Sequence, residues 1–209
     1  MDLHTVSPQT LKRLPLYLRY LKSISTEEYP NISATMIADA LGFYDVQVRK
    51  DLAAVSSGGR PKIGYVTENL IADIKHFLGY DKQNDAVLVG AGNLGHALLS
   101  YSGFSEYGLR IIAAFDKNKD LQGKDVHGKM IYAENEISSY CKEHSVQFGI
   151  IATPASVAQQ AADTLIAGGV KAILNFAPVH ILVPGDVLVE NVDMASSFAV
   201  LYQHVTERQ

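Results

Sequence analysis

The chain has 209 residues, 47% of them hydrophobic and 19% charged, with a formal net charge of −4: an ordinary globular composition with room for one large domain or two small ones. No apolar run reaches the ~18 residues of a membrane span and no leader-type apolar segment opens the chain, so no membrane partner is expected and the cytoplasm is the expected compartment. The single cysteine, Cys141, excludes an internal disulfide or a Cys-x-x-Cys pair, and the seven histidines form no His-Glu-x-x-His pattern, so no metal is expected.

The two parts of the chain differ in charge: residues 1–80 carry +1 and residues 81–209 carry −5. In the first part, Ser7-Pro8 reads as an N-cap followed by proline at the first helical position. Leu11, Leu14, Leu18 and Leu21 recur at helical spacing, giving an amphipathic helix to about Ile24. Ser33 caps a second helix, with Ile32 and Ile37 placed as a hydrophobic staple, Ile37, Ala40 and Leu41 as its apolar face, and Gly42 as its end. A third helix, about 44–54, turns Val48, Leu52 and Val55 toward a core. Gln47, Arg49, Lys50 and Asp51 are then expected to project elsewhere. Ser56-Ser57-Gly58-Gly59 breaks that helix, and Arg60–Val66 reads as a short β-hairpin or wing.

Three short helices and a glycine-rich wing make a winged helix-turn-helix. An amide and a guanidinium that reach base edges, with cations for phosphates, are what a recognition helix needs. Tyr44, Gln47, Arg49 and Lys50 are therefore the candidate DNA contacts, joined on the wing by Arg60 and Lys62. Residues 68–77 form a further helix, and Gly79–Asp85 reads as a polar hinge.

Ala86-Val87-Leu88-Val89 then reads as a buried parallel strand running into Gly90-Ala91-Gly92-Asn93-Leu94-Gly95. Asp116 closes the next apolar run, 21 residues after Gly95. In this strand–turn–helix pattern the first glycine makes the tight turn, the second lets backbone approach a pyrophosphate, and the third lets helix pack on strand. The helix N-terminus faces the phosphates with free N–H groups. Asp116 accepts ribose hydroxyls and repels a 2′-phosphate, which favours NAD(H), although Lys117 and Lys119 soften that repulsion. The remaining segments alternate: strands at 110–115, 129–132, 147–152, 171–175 and 187–190, with helices at 134–144 and 155–167. The expected class is α/β, a Rossmann-type doubly wound parallel sheet, with Thr153-Pro154 and Asn175-Phe176-Ala177-Pro178 lining the nicotinamide half of its crevice. A last helix, 193–205, carries an apolar stripe of Met194, Phe198, Leu201, Tyr202 and Val205 with nothing after it to cover it. A second subunit is the expected cover, since single helix-turn-helix chains act as two-fold dimers.

Gln47-Val48-Arg49-Lys50-Asp51-Leu52, Gly64-Tyr65, the Gly90–Gly95 turn with Asp116, Gly168–Pro178 and Glu190-Asn191-Val192-Asp193 together resemble the Rex family of redox-sensing transcriptional repressors, in family order and over essentially the whole chain. The resemblance implies a homodimeric bacterial repressor that holds palindromic operator DNA when NAD+ is plentiful and leaves it when NADH rises. It also implies a C-terminal helix exchanged between subunits. The expected domains are 1–80 (winged helix), 81–190 (NAD(H) binding) and 191–209 (swapped dimerisation helix). Two departures stand out: Tyr44 where relatives carry a small hydroxyl residue, and Val55-Ser56 with Arg60-Pro61-Lys62 where relatives carry an aromatic-Gly step and an Arg-Gly wing.

To tell two coenzymes apart by a hydride, a closed apolar pocket penalises the cationic nicotinamide of NAD+ by desolvation. Phe104, Phe176, Ala177, Pro178 and the helix bearing Phe198 are the candidates for that pocket. Tyr101 and Asp193 are candidate switch contacts, with Arg19 of the other chain a partner for Asp193. The alternative is an NAD-dependent dehydrogenase or a nucleotide- or CoA-binding enzyme with an N-terminal regulatory helix domain. It lacks a companion substrate domain, and only His180 offers itself as a base, so no catalytic residues and no enzymatic activity are expected.

Overall fold

The computed structural model describes residues 6–207, and of α9 below it leaves out the side chains of Met194 and Ser197; the part of the apolar stripe assigned to Met194 thus lies outside the described residues. The chain divides into two compact units, Met1–Lys82 and Gln83–Gln209.

In the first unit, α1 (Pro8–Ser23) opens as its sequence dictates: the Ser7 hydroxyl accepts the Thr10 N–H at 3.1 Å. Its buried face is Thr10, Leu14, Tyr17, Leu18 and Leu21, a seven-residue rhythm. Leu11, expected on that face, is exposed; Thr10 takes the inward place because its hydroxyl has a buried partner. β1 (Asn31–Ile32) precedes α2 (Ala34–Leu41), whose cap is the Ser33 hydroxyl accepting the Met36 N–H. Ile32 and Ile37 are both fully buried, as the staple requires. Ala38 rather than Ala40 completes the buried face, since Ala34, Ile37 and Ala38 share one side of an eight-residue helix. Gly42 ends it in the left-handed region at φ 70°, and the Phe43 N–H closes on the Ala38 carbonyl at 2.9 Å. After this turn comes α3 (Asp45–Val55), with Val48, Leu52 and Val55 buried.

The wing is tighter than a full hairpin. Arg60 and Gly64 exchange backbone bonds of 2.8 and 2.9 Å around a turn with Lys62 at φ 66°. β2 (Tyr65–Val66) then pairs antiparallel with β1, Ile32 opposite Tyr65, and leads into α4 (Thr67–Phe77).

The second unit is built on β3 (Asn84–Val89), β4 (Leu109–Asp116), β5 (Asp125–Val126), β6 (Lys129–Ala133), β7 (Phe148–Ile151), β8 (Ala172–Asn175) and β9 (Leu188–Asn191), in the spatial order β5-β6-β4-β3-β7-β8-β9. All neighbours pair parallel except β5 with β6. Without β5 this is the 3-2-1-4-5-6 order of a dinucleotide-binding sheet, whose order reverses between β3 and β7. Strand alternation feeds two cores. Val87, Val89, Phe115 and Ile151 meet α7 (Ile137–Glu143) and α8 (Ala155–Ala167) on one face. Ala86, Leu88, Ala114 and Ile150 meet Leu99 of α5 (Asn93–Ser100) on the other. Cys141 of α7 is buried in the first core, and that burial pushes its thiol up to about 11.

Three elements lie outside the sequence reading, the two-residue β1, the short α6 (Gly103–Glu106) and β5. Strand β5 pairs back on β6 through a turn at His127-Gly128, both with positive φ. Past Asp193, α9 (Met194–Thr206) shows Phe198, Val200, Leu201, Tyr202 and Val205 as exposed side chains.

Candidate functional site

The crevice of the second unit lies where the sheet order reverses. Gly90 follows β3 at φ 97°, and a Cβ there would sit 2.6 Å from the Ala152 carbonyl oxygen at the end of β7. A Cβ on Gly95 would collide with the Gly90 carbonyl oxygen, so that glycine sets how closely α5 approaches β3. Gly92, by contrast, faces open space on its Cβ side. It is the N-cap of α5, whose first-turn amides have no intrahelical acceptors and whose positive dipole end points outward. One side of this turn is thus packed shut and the other is open to an anion.

Asp116 ends β4 beside the turn and holds it in place. Its Oδ2 accepts the Ala91 N–H at 2.7 Å, and its Oδ1 accepts the Asn118 N–H at 2.8 Å. The Ala91 amide is therefore spent on Asp116, which leaves the amides from Gly92 onward for phosphate. A carboxylate has about four acceptor positions, so two remain for a diol. Across the crevice the Thr153 hydroxyl is buried with no partner in the protein. An unspent hydroxyl, an open glycine and a carboxylate with acceptor capacity fit an adenosine diphosphate-containing coenzyme. Lys117 beside them is exposed.

Of the residues expected on the nicotinamide side, Phe104 and Phe176 pack against the same core layer around Leu88 and Ala91. Tyr101 lies edge-on to Phe104, 5.0 Å between ring centres. Pro154 is the N-cap position of α8. Ala177 and Pro178 line a 440 Å³ cavity with His180, Asn191 and Asp193.

Asn175 has a structural role as well. Its side chain is fully buried, and its amide donates to the Val179 carbonyl and to Asn191 Oδ1, both at 2.8 Å, while its Oδ1 accepts the Ala177 N–H at 3.0 Å. A buried amide must find its partners inside the protein, and Asn175 braces the 175–179 loop with both of its amide N–H groups. Asp193 caps α9 by accepting the N–H groups of Ala195 and Ser196, at 2.9 and 3.1 Å, and the Ser196 hydroxyl. Those bonds, the Ser196 hydroxyl first, hold its carboxyl below the usual range. Phe198 is exposed and not among the residues lining that cavity.

In the first unit, α3 presents Val46, Arg49, Lys50 and Ala53 to solvent, with Gln47 half-buried at the side. Arg49 is paired with Asp45 one turn back at 2.6 Å. Arg60 and Lys62 are exposed on the wing, and Arg19 is exposed on α1. Tyr44 holds the N-cap position without capping, 84% exposed.

Asp51 is a correction: it faces inward. The Arg13 guanidinium donates to Oδ2 at 2.7 Å and Oδ1 at 2.9 Å, the Thr10 hydroxyl to Oδ1 at 2.8 Å, and the Tyr17 hydroxyl to Oδ2 at 2.8 Å. Burial alone pushes this carboxyl up; the bonds from Arg13, Tyr17 and Thr10 outweigh it and bring it below the usual range. The Asp51 bond raises Arg13, and burial followed by the same carboxylate raises Tyr17. This network ties α3 to α1, and its members Thr10, Arg13 and Asp51 line a 570 Å³ cleft with Ser7, Tyr44, Val46 and Lys50. Arg13 and Thr10 were not singled out in the sequence. The available signal was that Asp51 falls about 40° from Val55 on the helical wheel, at the edge of the arc drawn by Val48, Leu52 and Val55.

Residues 5–53 match the family of the putative DNA-binding protein N-terminus, and residues 81–179 match the CoA binding domain family. The redox-sensing transcriptional repressor Rex of Treponema denticola is 40% identical over 192 residues, 92% of this chain and 91% of that one. The chain belongs to the Rex family. The crystal structure of RSP in complex with β-NAD+ and operator DNA has a TM-score of 0.92 to it at 32% identity, covering 97% of this chain and 94% of that one. The complex of RSP with β-NADH has a TM-score of 0.87 at 31% identity, covering 98% and 96%. Family membership makes the fold a Rex fold, a DNA-binding N-terminal unit followed by a Rossmann-type sheet, and the family is one of transcriptional repressors. Among the described residues of this Rex-family chain, no helix is long and apolar enough to cross a membrane and no three His, Cys, Asp or Glu side chains gather as a metal site.

Proposed function

We propose that this chain is a cytoplasmic, homodimeric transcriptional repressor that senses the NADH/NAD+ balance, holding palindromic operator DNA when empty or with NAD+ and releasing it with NADH. The observation that carries the reading is the Gly90–Gly95 turn, pinned by Asp116 through the 2.7 Å bond from Ala91, in one chain with a winged helix. Tyr44, Gln47, Arg49 and Lys50 of the α3 end, with Arg60 and Lys62 of the wing, contact DNA. Gly90 to Gly95, Asp116, Lys117, Tyr101, Phe104, Thr153, Pro154, Phe176, Ala177 and Pro178 form the coenzyme site. The exposed stripe of Phe198, Leu201, Tyr202 and Val205 on α9 supports a helix that is covered by the other subunit. Arg19 and Asp193 join the two subunits when the coenzyme pocket closes.

Both coenzymes share the pyrophosphate and adenosine contacts, so selection rests on the nicotinamide. An apolar pocket charges the cationic ring for its lost hydration and admits the neutral ring freely. A ligand shifts the equilibrium of the heads only by its differential affinity for the two dimer states. Linkage makes this testable: the factor by which NADH lowers operator affinity equals the factor by which operator lowers NADH affinity. Titration of a labelled palindromic operator, with and without NADH, reads the first factor; equal affinities would remove the sensor.

Replacing Asp116 by Ala removes a charged acceptor for the ribose and the brace on Ala91. Charged hydrogen bonds of about 1.5–3 kcal/mol translate to a roughly 10- to 150-fold weaker NADH complex. NAD+ should weaken in parallel, operator binding by the coenzyme-free protein should persist, and the preference against NADPH should shrink. Calorimetric titration of NADH, NAD+ and NADPH checks it.

A further inference from the structure

The α3 face that the DNA reading uses is not uniformly cationic. Around the helix, Asp51, Val48, Leu52 and Val55 turn inward, which centres the solvent side on Val46, Ala53, Lys50 and Arg49. The middle of the exposed ridge is thus apolar and small, with one cation on each flank. Val46 is 62% exposed in the first turn, and it lines the same cleft as Tyr44 just ahead of it.

Neither residue serves folding where it stands. Tyr44 occupies the N-cap and makes no capping bond, so the helix forgoes an acceptor that Ser, Thr, Asp or Asn would supply. Val46 is β-branched and wet, where a solvated helix face ordinarily carries a polar chain. The one acid beside them is occupied: Asp45 accepts from Thr35 at 3.0 Å and from Arg49 at 2.6 Å. An aromatic ring and an isopropyl group at the N-terminal end of a recognition helix, between cations and with the neighbouring acid neutralised, match one feature of the major groove. That feature is the 5-methyl group of thymine, the apolar element in the groove's code.

Building on the DNA reading above, we infer that Tyr44 and Val46 are specificity-determining residues that read thymine methyl groups in each operator half-site. Gln47 and Lys50 beside them supply polar contacts, and the methyl contact fixes which pyrimidine is accepted.

The test uses the full-length chain. Duplexes are selected from a random pool, and each thymine of the selected site is replaced in turn by deoxyuridine, which removes only the methyl. At one or two positions per half-site the affinity should fall about fourfold, the equivalent of one buried methylene. Val46→Ala and Tyr44→Ser should bind the thymine and uracil duplexes equally well. Tyr44→Ser should at the same time melt higher, because serine restores the cap. A selected duplex indifferent to every methyl removal overturns the inference and leaves the DNA reading standing, as does full thymine preference in both variants. Failure to enrich any duplex overturns both.

Discussion

Asp51→Ala is expected to cost the N-terminal unit about 3–5 kcal/mol, the size of a buried ion pair broken from one side. Four donor groups converge on this carboxylate from Arg13, Thr10 and Tyr17, at 2.7 to 2.9 Å. Removing it strands a mostly buried guanidinium and a buried phenol that this carboxylate alone pairs across α1 and α3. Asp51→Asn keeps the volume and two acceptor positions, so it should cost less. The double change Arg13→Met with Asp51→Leu should recover much of the loss, because it removes both desolvated charges. The pH dependence has a definite sign. The folded carboxyl lies below its unfolded value, so its contribution is complete above the unfolded carboxylate range and disappears as pH falls through the folded one. Thermal and urea unfolding of the variants, with operator binding measured in parallel, check this. A loss of about 1 kcal/mol or less, as for an exposed pair, would show that the network does not hold the two helices.

Gly95→Ala and Gly92→Ala should separate shape from access in the coenzyme crevice. At Gly95 the added carbon meets the Gly90 carbonyl oxygen, and its carbonyl carbon at 3.0 Å, both backbone atoms that cannot swing aside. The helix must lift from the strand, at about 1–3 kcal/mol or more of overpacking, and NADH binding should vanish with the lowered melting temperature. At Gly92 the backbone is already in a region open to any residue, φ −72°, and the new methyl meets only open space. That variant should melt as the parent does and still bind NADH poorly, since the methyl occupies the approach of the pyrophosphate. The intrinsic fluorescence of NADH reports binding in both. Normal NADH binding by Gly92→Ala would place the phosphates elsewhere.

Much of this architecture is legible in the sequence because its determinants are local. Ser7-Pro8, Ser33, Gly42 and the Gly90–Gly95 turn act within a few residues of themselves, so spacing alone exposes them. What sequence reading misplaces depends on distant partners. Asp51 was expected off the core face once Val48, Leu52 and Val55 were assigned to it, yet its partners Arg13 and Thr10 lie 38 and 41 residues away. Its helical phase, about 40° beyond Val55, was the better guide. Leu11 was placed inside because it is leucine, while its neighbour Thr10 earned the inward position by a bond to the same carboxylate. Asn175 was singled out because it ends a strand at the crevice; its partners Val179 and Asn191 also make it a brace. The β5–β6 hairpin escaped notice because two residues carry no periodicity, and its turn relies on His127 adopting the left-handed region.

Cys141 limits what kind of chemistry can reach this molecule. It is the sole sulfhydryl of the chain, it sits at zero exposure under α8, and at a pKa of about 11 only of order one in ten thousand of its thiols is ionised at neutral pH. Peroxides and disulfides attack the ionised, accessible form, so neither finds a foothold here. Thiol oxidation is therefore closed to this regulator as a direct signal, which leaves the coenzyme pool as its gauge of metabolic electron supply.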